Sequence, residues 1–70
     1  MAESLLESPA KRFSRLFRKA GVYLAKGQFD QALVTLREGE ALALAWGDKE
    51  KLALFREEIV HCEQHRGEEH

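Results

Sequence analysis

The chain has 70 residues and a formal net charge of −1, with 44% apolar and 33% charged side chains. This length is about half that of a typical domain, so we treat residues 1–70 as a single domain with a marginal core. A substrate pocket would take much of that core, so we expect no enzyme, no catalytic residue and no cofactor. The composition is too apolar for a disordered chain. No run approaches the ~18 apolar residues of a membrane helix, so membrane insertion is not expected.

Charge and cysteine content give two further expectations. The single cysteine, Cys62, excludes a disulfide within one chain, which favours a reducing compartment and predicts a cytoplasmic protein. Residues 1–37 carry seven basic and three acidic side chains, whereas residues 38–70 carry four and nine. Such an asymmetry favours antiparallel packing within the chain or head-to-tail pairing between chains. The plainer alternative is two solvated helix faces of different sign.

The first predicted helix runs from about residue 9 to residue 26. Ser8 is a suitable N-cap, and Pro9 fits the first helical position because the amide that it lacks would be unpaired there. Gly27 can end the helix in the left-handed conformation. The apolar residues recur at spacings of three and four and form one stripe. That stripe comprises Phe13, Leu16, Phe17, Ala20, Tyr23 and Leu24.

Two more helices are predicted, over about 29–46 and 49–65, followed by a flexible tail over 66–70. Asp48 can cap the third helix. Gly39 lies on the apolar stripe of the second helix, where a small residue permits a close approach. Short connections make neighbouring helices antiparallel, so the predicted fold is an all-α, antiparallel three-helix unit. The two stripes comprise Phe29, Ala32, Leu33, Leu36 and Ala43, and Leu52, Phe55, Ile59 and Cys62.

Eight residues in the middle of the chain share a characteristic order and spacing. They are Leu16, Ala20, Tyr23, Gly27, Phe29, Ala32, Leu36 and Gly39. Together they resemble one tetratricopeptide repeat over residues 13–46, in which small residues lie at the helix crossing and a glycine forms the turn. The resemblance implies a helical hairpin covered by a capping helix, and a protein-interaction function. Glu40 and Glu57 depart from the repeat, which has an apolar residue and a tyrosine at those places.

A second family fits the length of the chain. The microtubule-interacting and trafficking (MIT) domain is a three-helix bundle of similar size, and residues 57–63 resemble the signature of its third helix only loosely. This alternative implies an apolar groove that binds a partner helix. The shared residues are Ala20, Gly27, Phe29, Ala32 and Leu33.

The repeat resemblance implies a peptide-binding inner face on the first helix. Its residues are Phe17, Gly21, Leu24 and Ala25. The alternative is that the third helix, or Leu5 and Leu6, covers them. The carboxylate-binding version of the repeat needs Lys and Asn where this chain has Phe17 and Gly21, so no carboxylate clamp is predicted.

A second candidate partner surface lies at the end of the second helix. Residues 41–46, which we call the apolar end of the second helix, are apolar on every side, and a chain this small cannot easily bury all of them. Trp46 is either packed in the core or an interface anchor, because tryptophan is enriched in binding hot spots. The candidates here are Leu42, Leu44, Ala45 and Trp46.

Two other patterns are weaker. Five basic residues lie within residues 11–19, but the near-neutral net charge is not that of a nucleic-acid binder. His61 and His65 are four residues apart, a spacing that suits zinc or nickel. No Glu follows His61 directly, as a zincin motif requires. Two histidines near a helix C-terminus also suit the helix dipole, so we predict no metal site, with these two as weak candidates only.

These observations predict a non-catalytic module that binds a protein or peptide partner through apolar helix faces. Two alternatives stay open. One is a self-assembling structural subunit that forms a homo-oligomer, because a single repeat rarely stands alone. The other is an MIT-like domain that binds a partner helix. A nucleic-acid partner is disfavoured.

Overall fold

The computed structural model describes residues 8–68 and contains three helices: α1 (Pro9–Ala25), α2 (Phe29–Trp46) and α3 (Lys49–Glu68). Residues 8–68 contain no strand. The middle helix, α2, packs against both α1 and α3. The predicted all-α, antiparallel three-helix unit is therefore confirmed. Leu5 and Leu6, which were candidates for covering α1, lie outside the described residues.

The two ends of α1 follow the sequence signals closely. The Ser8 hydroxyl accepts a hydrogen bond from the Lys11 amide at 3.3 Å. At the other end Gly27 has φ 74°, a conformation that other residues rarely adopt. The Gln28 amide donates to the Tyr23 carbonyl at 2.8 Å. This left-handed closure ends α1 one residue before the predicted end and turns the chain back along it.

The connection between α2 and α3 is equally tight. Gly47 has φ 68°, and the Asp48 amide donates to the Ala43 carbonyl at 2.9 Å. The Asp48 carboxylate accepts a hydrogen bond from the Lys51 amide at 3.0 Å. Asp48 therefore closes α2 through its backbone and caps α3 through its side chain, which confirms the predicted cap.

The core contains the residues of the predicted stripes. Ala20 and Ala32, the small residues expected at a helix crossing, are both buried. Tyr23, Leu24 and Phe29 pack against the core at its edge. The fully buried apolar residues are Phe13, Ala20, Ala32, Leu33, Leu36, Ala43, Phe55, Ile59 and Cys62.

A single aromatic ring joins all three helices. Phe55 of α3 is fully buried. Its ring stacks on Phe17 of α1, with centroids 4.2 Å apart and planes within 12°, and lies 5.8 Å from the Phe13 ring. The Phe55 ring also lies against Gly39 of α2. A Cβ added to Gly39 would come within 3.0 Å of three carbons of that ring. The absence of a side chain at Gly39 therefore leaves space for the Phe55 ring of α3.

Ion pairs connect α2 and α3 in an antiparallel register. They join Arg37 to Glu63, Arg56 to Glu40, and Arg66 to Asp30, at N–O distances of 2.9–3.1 Å. The partners descend along α2 as they ascend along α3, as antiparallel packing requires. The pairs are partly exposed and contribute little stability each. Glu40, which departs from the repeat pattern, is accounted for by its pair with an arginine.

The last helix is longer than the sequence indicates. α3 ends at Glu68, three residues beyond the predicted end at 65, so residues 66–68 are helical and are not part of the predicted flexible tail. Arg66 is held to Asp30 of α2 at 3.0 Å. A single glycine, Gly67, costs a helix only about 1 kcal/mol, and the helix therefore continues through it.

Replacing Asp48 with Ala tests the α2–α3 connection. The change removes the carboxylate cap, and we expect the free energy of unfolding to fall by about 1 kcal/mol. Urea denaturation followed by circular dichroism measures it. Glu50→Ala is the matched control, because Glu50 is an acid of the same first turn and an exposed change of this kind costs under about 0.5 kcal/mol. Equal losses in the two variants would contradict the capping role.

Candidate functional site

The predicted inner face of α1 is partly covered by α3. Phe17 stacks on Phe55, so Phe17 belongs to the packing between helices and is not the open groove residue that was predicted. Leu24 is half-buried, whereas Gly21 and Ala25 are exposed. An added Cβ on Gly21 would meet no atom within 4 Å. Only the edge of this face, at Gly21 and Ala25, is therefore exposed to solvent.

A small hollow of about 280 Å³ lies between the end of α1, the start of α2 and the last turns of α3. The His65 ring lies parallel to the Phe29 ring, with centroids 6.3 Å apart. The His61 ring meets the His65 ring edge-on at 6.5 Å. The hollow is lined by Leu24, Phe29, Glu58, His61, Cys62 and His65.

The two histidines do not gain further metal ligands. Among the residues that the structure describes, no group of three or more His, Cys, Asp or Glu side chains could hold a metal ion. Cys62 is buried, and its thiol donates a hydrogen bond to the Phe29 carbonyl at 3.4 Å. Burial raises the pKa of the Cys62 thiol. The placement of Cys62 on the buried stripe of the third helix is therefore confirmed.

The apolar end of α2 is largely unburied. Ala43 is buried and Leu42 is half-buried. Leu44 and Trp46 are 58% and 57% exposed, so the alternative in which Trp46 packs in the core is wrong. Because successive helical residues are rotated by about 100°, Leu44 and Trp46 lie on different sides of α2, whereas Leu42 and Trp46 share one side.

The other candidate of this segment, Ala45, is also exposed. It follows Ala41 by four residues, which places the two on a common side of α2. The four predicted partner residues of α2 therefore do not form one surface. Ala41 and Leu42 both face α1, so Ala45 and Trp46 each lie one turn beyond a residue that faces α1, whereas Leu44 points away from it.

A groove that the sequence analysis missed runs between α1 and α2. It has a volume of about 660 Å³, and we call it the α1–α2 groove. Leu16 and Leu42, both half-buried, give it an apolar floor. The sequence feature that indicates the groove is Leu16, an apolar residue at the edge of the α1 stripe with Arg12 and Lys19 one helical turn before and after it. The lining is Arg12, Arg15, Leu16, Lys19, Glu38, Ala41 and Leu42.

Comparison with known proteins identifies no relative. No protein-family model, no curated protein sequence and no solved structure matches the chain. Among the described helices, none combines the length and the apolar character needed to cross a bilayer.

Cys62 provides a direct test of this packing. A thiol reagent should modify it slowly in the folded protein and rapidly in urea, because the thiol is buried and its raised pKa keeps it protonated. The folded state holds this proton at a pH where the unfolded thiol has ionised. Stability should therefore be retained at neutral pH and decline as the pH rises through the unfolded pKa of about 8.5. Rapid modification of the folded protein would contradict the buried position, and Cys62→Ala should remove this component of the pH dependence.

Proposed function

We propose that the protein is a non-catalytic interaction module that holds a protein partner against the α1-facing side of α2. One observation carries the proposal. Trp46, a large apolar side chain, is 57% exposed and lies one helical turn beyond Leu42 of the α1–α2 groove. Tryptophan is enriched among the residues that dominate binding energy, and grooves between helices are a common docking site for peptides.

The fold supports this proposal through its likeness to a repeat hairpin. Ala20 and Ala32 are buried and Gly27 forms the left-handed turn, as in the tetratricopeptide repeat that the sequence resembles. Such repeats bind partners with exposed helix faces. The proposal extends this use to a single hairpin capped by α3. The unpaired Cys62 supports a cytoplasmic setting.

The buried polar side chains of the core form hydrogen bonds within the fold, which supports a structural role for them. The Thr35 hydroxyl donates to the Gln31 carbonyl at 3.0 Å, and the Cys62 thiol donates to the Phe29 carbonyl. Among the described side chains, no buried nitrogen or oxygen lacks a hydrogen-bond partner. The Thr35 bond lies within α2 and the Cys62 bond joins α3 to α2, so in the proposed module these groups serve the fold and binding is left to the surface.

Self-assembly is the second candidate, and Leu44 favours it. Leu44 is 58% exposed on a different side of α2 from Trp46, so a second copy could cover it while the groove stays open. A self-contact of this kind would give a particle heavier than the 8.0 kDa monomer.

Photo-crosslinking tests the proposal. A benzoylphenylalanine at position 46 should give one discrete adduct with another protein in an extract of the source cells, because a bound partner would cover that position. The matched control carries the same group at Val34, which is on α2 and 60% exposed. It should give no such adduct.

Two results would contradict the proposal. One is equal labelling at positions 46 and 34, which would show that position 46 has no particular partner. The other is an adduct between two copies, together with a mass above 8.0 kDa that falls on dilution in light scattering. That result would favour the self-assembling subunit.

A further inference from the structure

The α1–α2 groove has one basic rim and one rim that is not basic. Arg12, Arg15 and Lys19 lie along α1, with the first and last about 10 Å apart along the helix axis. The opposite rim, from α2, holds Glu38 and Ala41. The floor between the rims is apolar. A ligand that fills this groove must therefore present acidic groups on one side and apolar groups below.

Two cations of the groove rim, Arg12 and Lys19, take no part in the ion pairs that join α2 to α3. Residues 8–29 contain six basic residues and no acidic residue. The three ion pairs between described helices all join α2 to α3. Both side chains, Arg12 and Lys19, are exposed. Their charge is available to an anionic partner.

We propose that the α1–α2 groove binds an amphipathic helix of a partner protein whose acidic residues flank one apolar stripe. This inference rests on the proposed function and specifies the chemistry of the partner. Carboxylates seven positions, or about two turns, apart on that helix would match the spacing of Arg12 and Lys19. The apolar stripe would cover Leu16 and Leu42.

The groove suits an acidic helix better than a nucleic acid. A phosphate backbone offers no apolar surface for the floor formed by Leu16 and Leu42, and it would be repelled by Glu38 on the opposite rim. An amphipathic helix satisfies both features, because its apolar stripe meets the floor and a basic residue beyond the stripe can face Glu38. Charge complementarity of this kind also orients a partner and speeds association.

A designed peptide tests the inference on the whole chain. The probe is a fluorescein-labelled peptide of about 16 residues, roughly 24 Å as a helix, with Leu at every third or fourth position and Glu beside the Leu stripe. Two control peptides keep its length. One carries Lys in place of Glu, and the other has the same composition in an order without a stripe. Fluorescence anisotropy at about 0.05 M and about 0.3 M salt measures binding to each.

Two double variants distinguish binding in the groove from general electrostatic attraction of an acidic peptide to the basic helix α1. Arg12→Glu with Lys19→Glu reverses two rim charges. Lys11→Glu with Arg18→Glu makes the same change of charge at residues of α1 that line a different hollow. We expect the first pair to weaken binding of the acidic peptide about ten-fold, and the second to weaken it less than about three-fold. Circular dichroism should show both variants helical.

Each other outcome overturns the inference. Equal losses in the two variants would mean non-specific attraction, and equal binding of the unstriped peptide would mean that the floor is not used. Tighter binding of duplex DNA than of the acidic peptide at the higher salt would favour nucleic acid. Binding of the peptide only after deletion of residues 1–7 would mean that this segment occupies the groove. If position 46 still crosslinks a protein in these cases, the proposed function stands and only the acidic helix is withdrawn.

Discussion

The position of the Phe55 ring against Gly39 is the constraint on which the rest of the structure depends. The ring fills space that a side chain at Gly39 would occupy, and it also stacks on Phe17 of α1. One side chain of α3 thereby contacts both of the other helices. Since α1 and α3 are not neighbours in the chain, this contact turns a hairpin with a following helix into one packed unit. It also covers Phe17 and so closes part of the inner face of α1.

Local chemistry accounts for what the sequence could predict. Ser8, Gly27 and Asp48 act on atoms within a few residues of themselves, so their roles could be read without knowing the fold. The apolar stripes were predicted for the same reason, because their period is that of a single helix. The end of α3 differed most, by three residues, and there Arg66 pairs with Asp30, a residue far away in the chain.

Contacts between distant residues account for what the sequence could not predict. The spacing predicted that Gly39 permits another helix to approach α2 closely. It did not predict that the Phe55 ring of α3 makes this contact. Trp46 could be buried or exposed until the neighbours of α2 were known. The α1–α2 groove combines Leu16 with Leu42, which belong to different helices, so no period within one helix reveals it.

The distribution of charge connects the fold to the proposed function. The ion pairs join α2 and α3, so acidic residues of the second half of the chain are partly neutralised within the fold. Arg12 and Lys19 of α1 face solvent beside the apolar floor of the groove. In the proposed complex these two charges would orient an acidic partner at the rim of the groove.

The effect of Gly39→Ala on stability tests the central contact most directly. In an open helix position Gly→Ala stabilises by about 0.5–1 kcal/mol, and Gly21→Ala should do so because an added Cβ there meets nothing within 4 Å. At Gly39 the added methyl group would displace the Phe55 ring, and we expect a loss of about 1–3 kcal/mol. Both can be measured by urea denaturation of the two variants. Opposite signs would support the account, and stabilisation by both substitutions would contradict it.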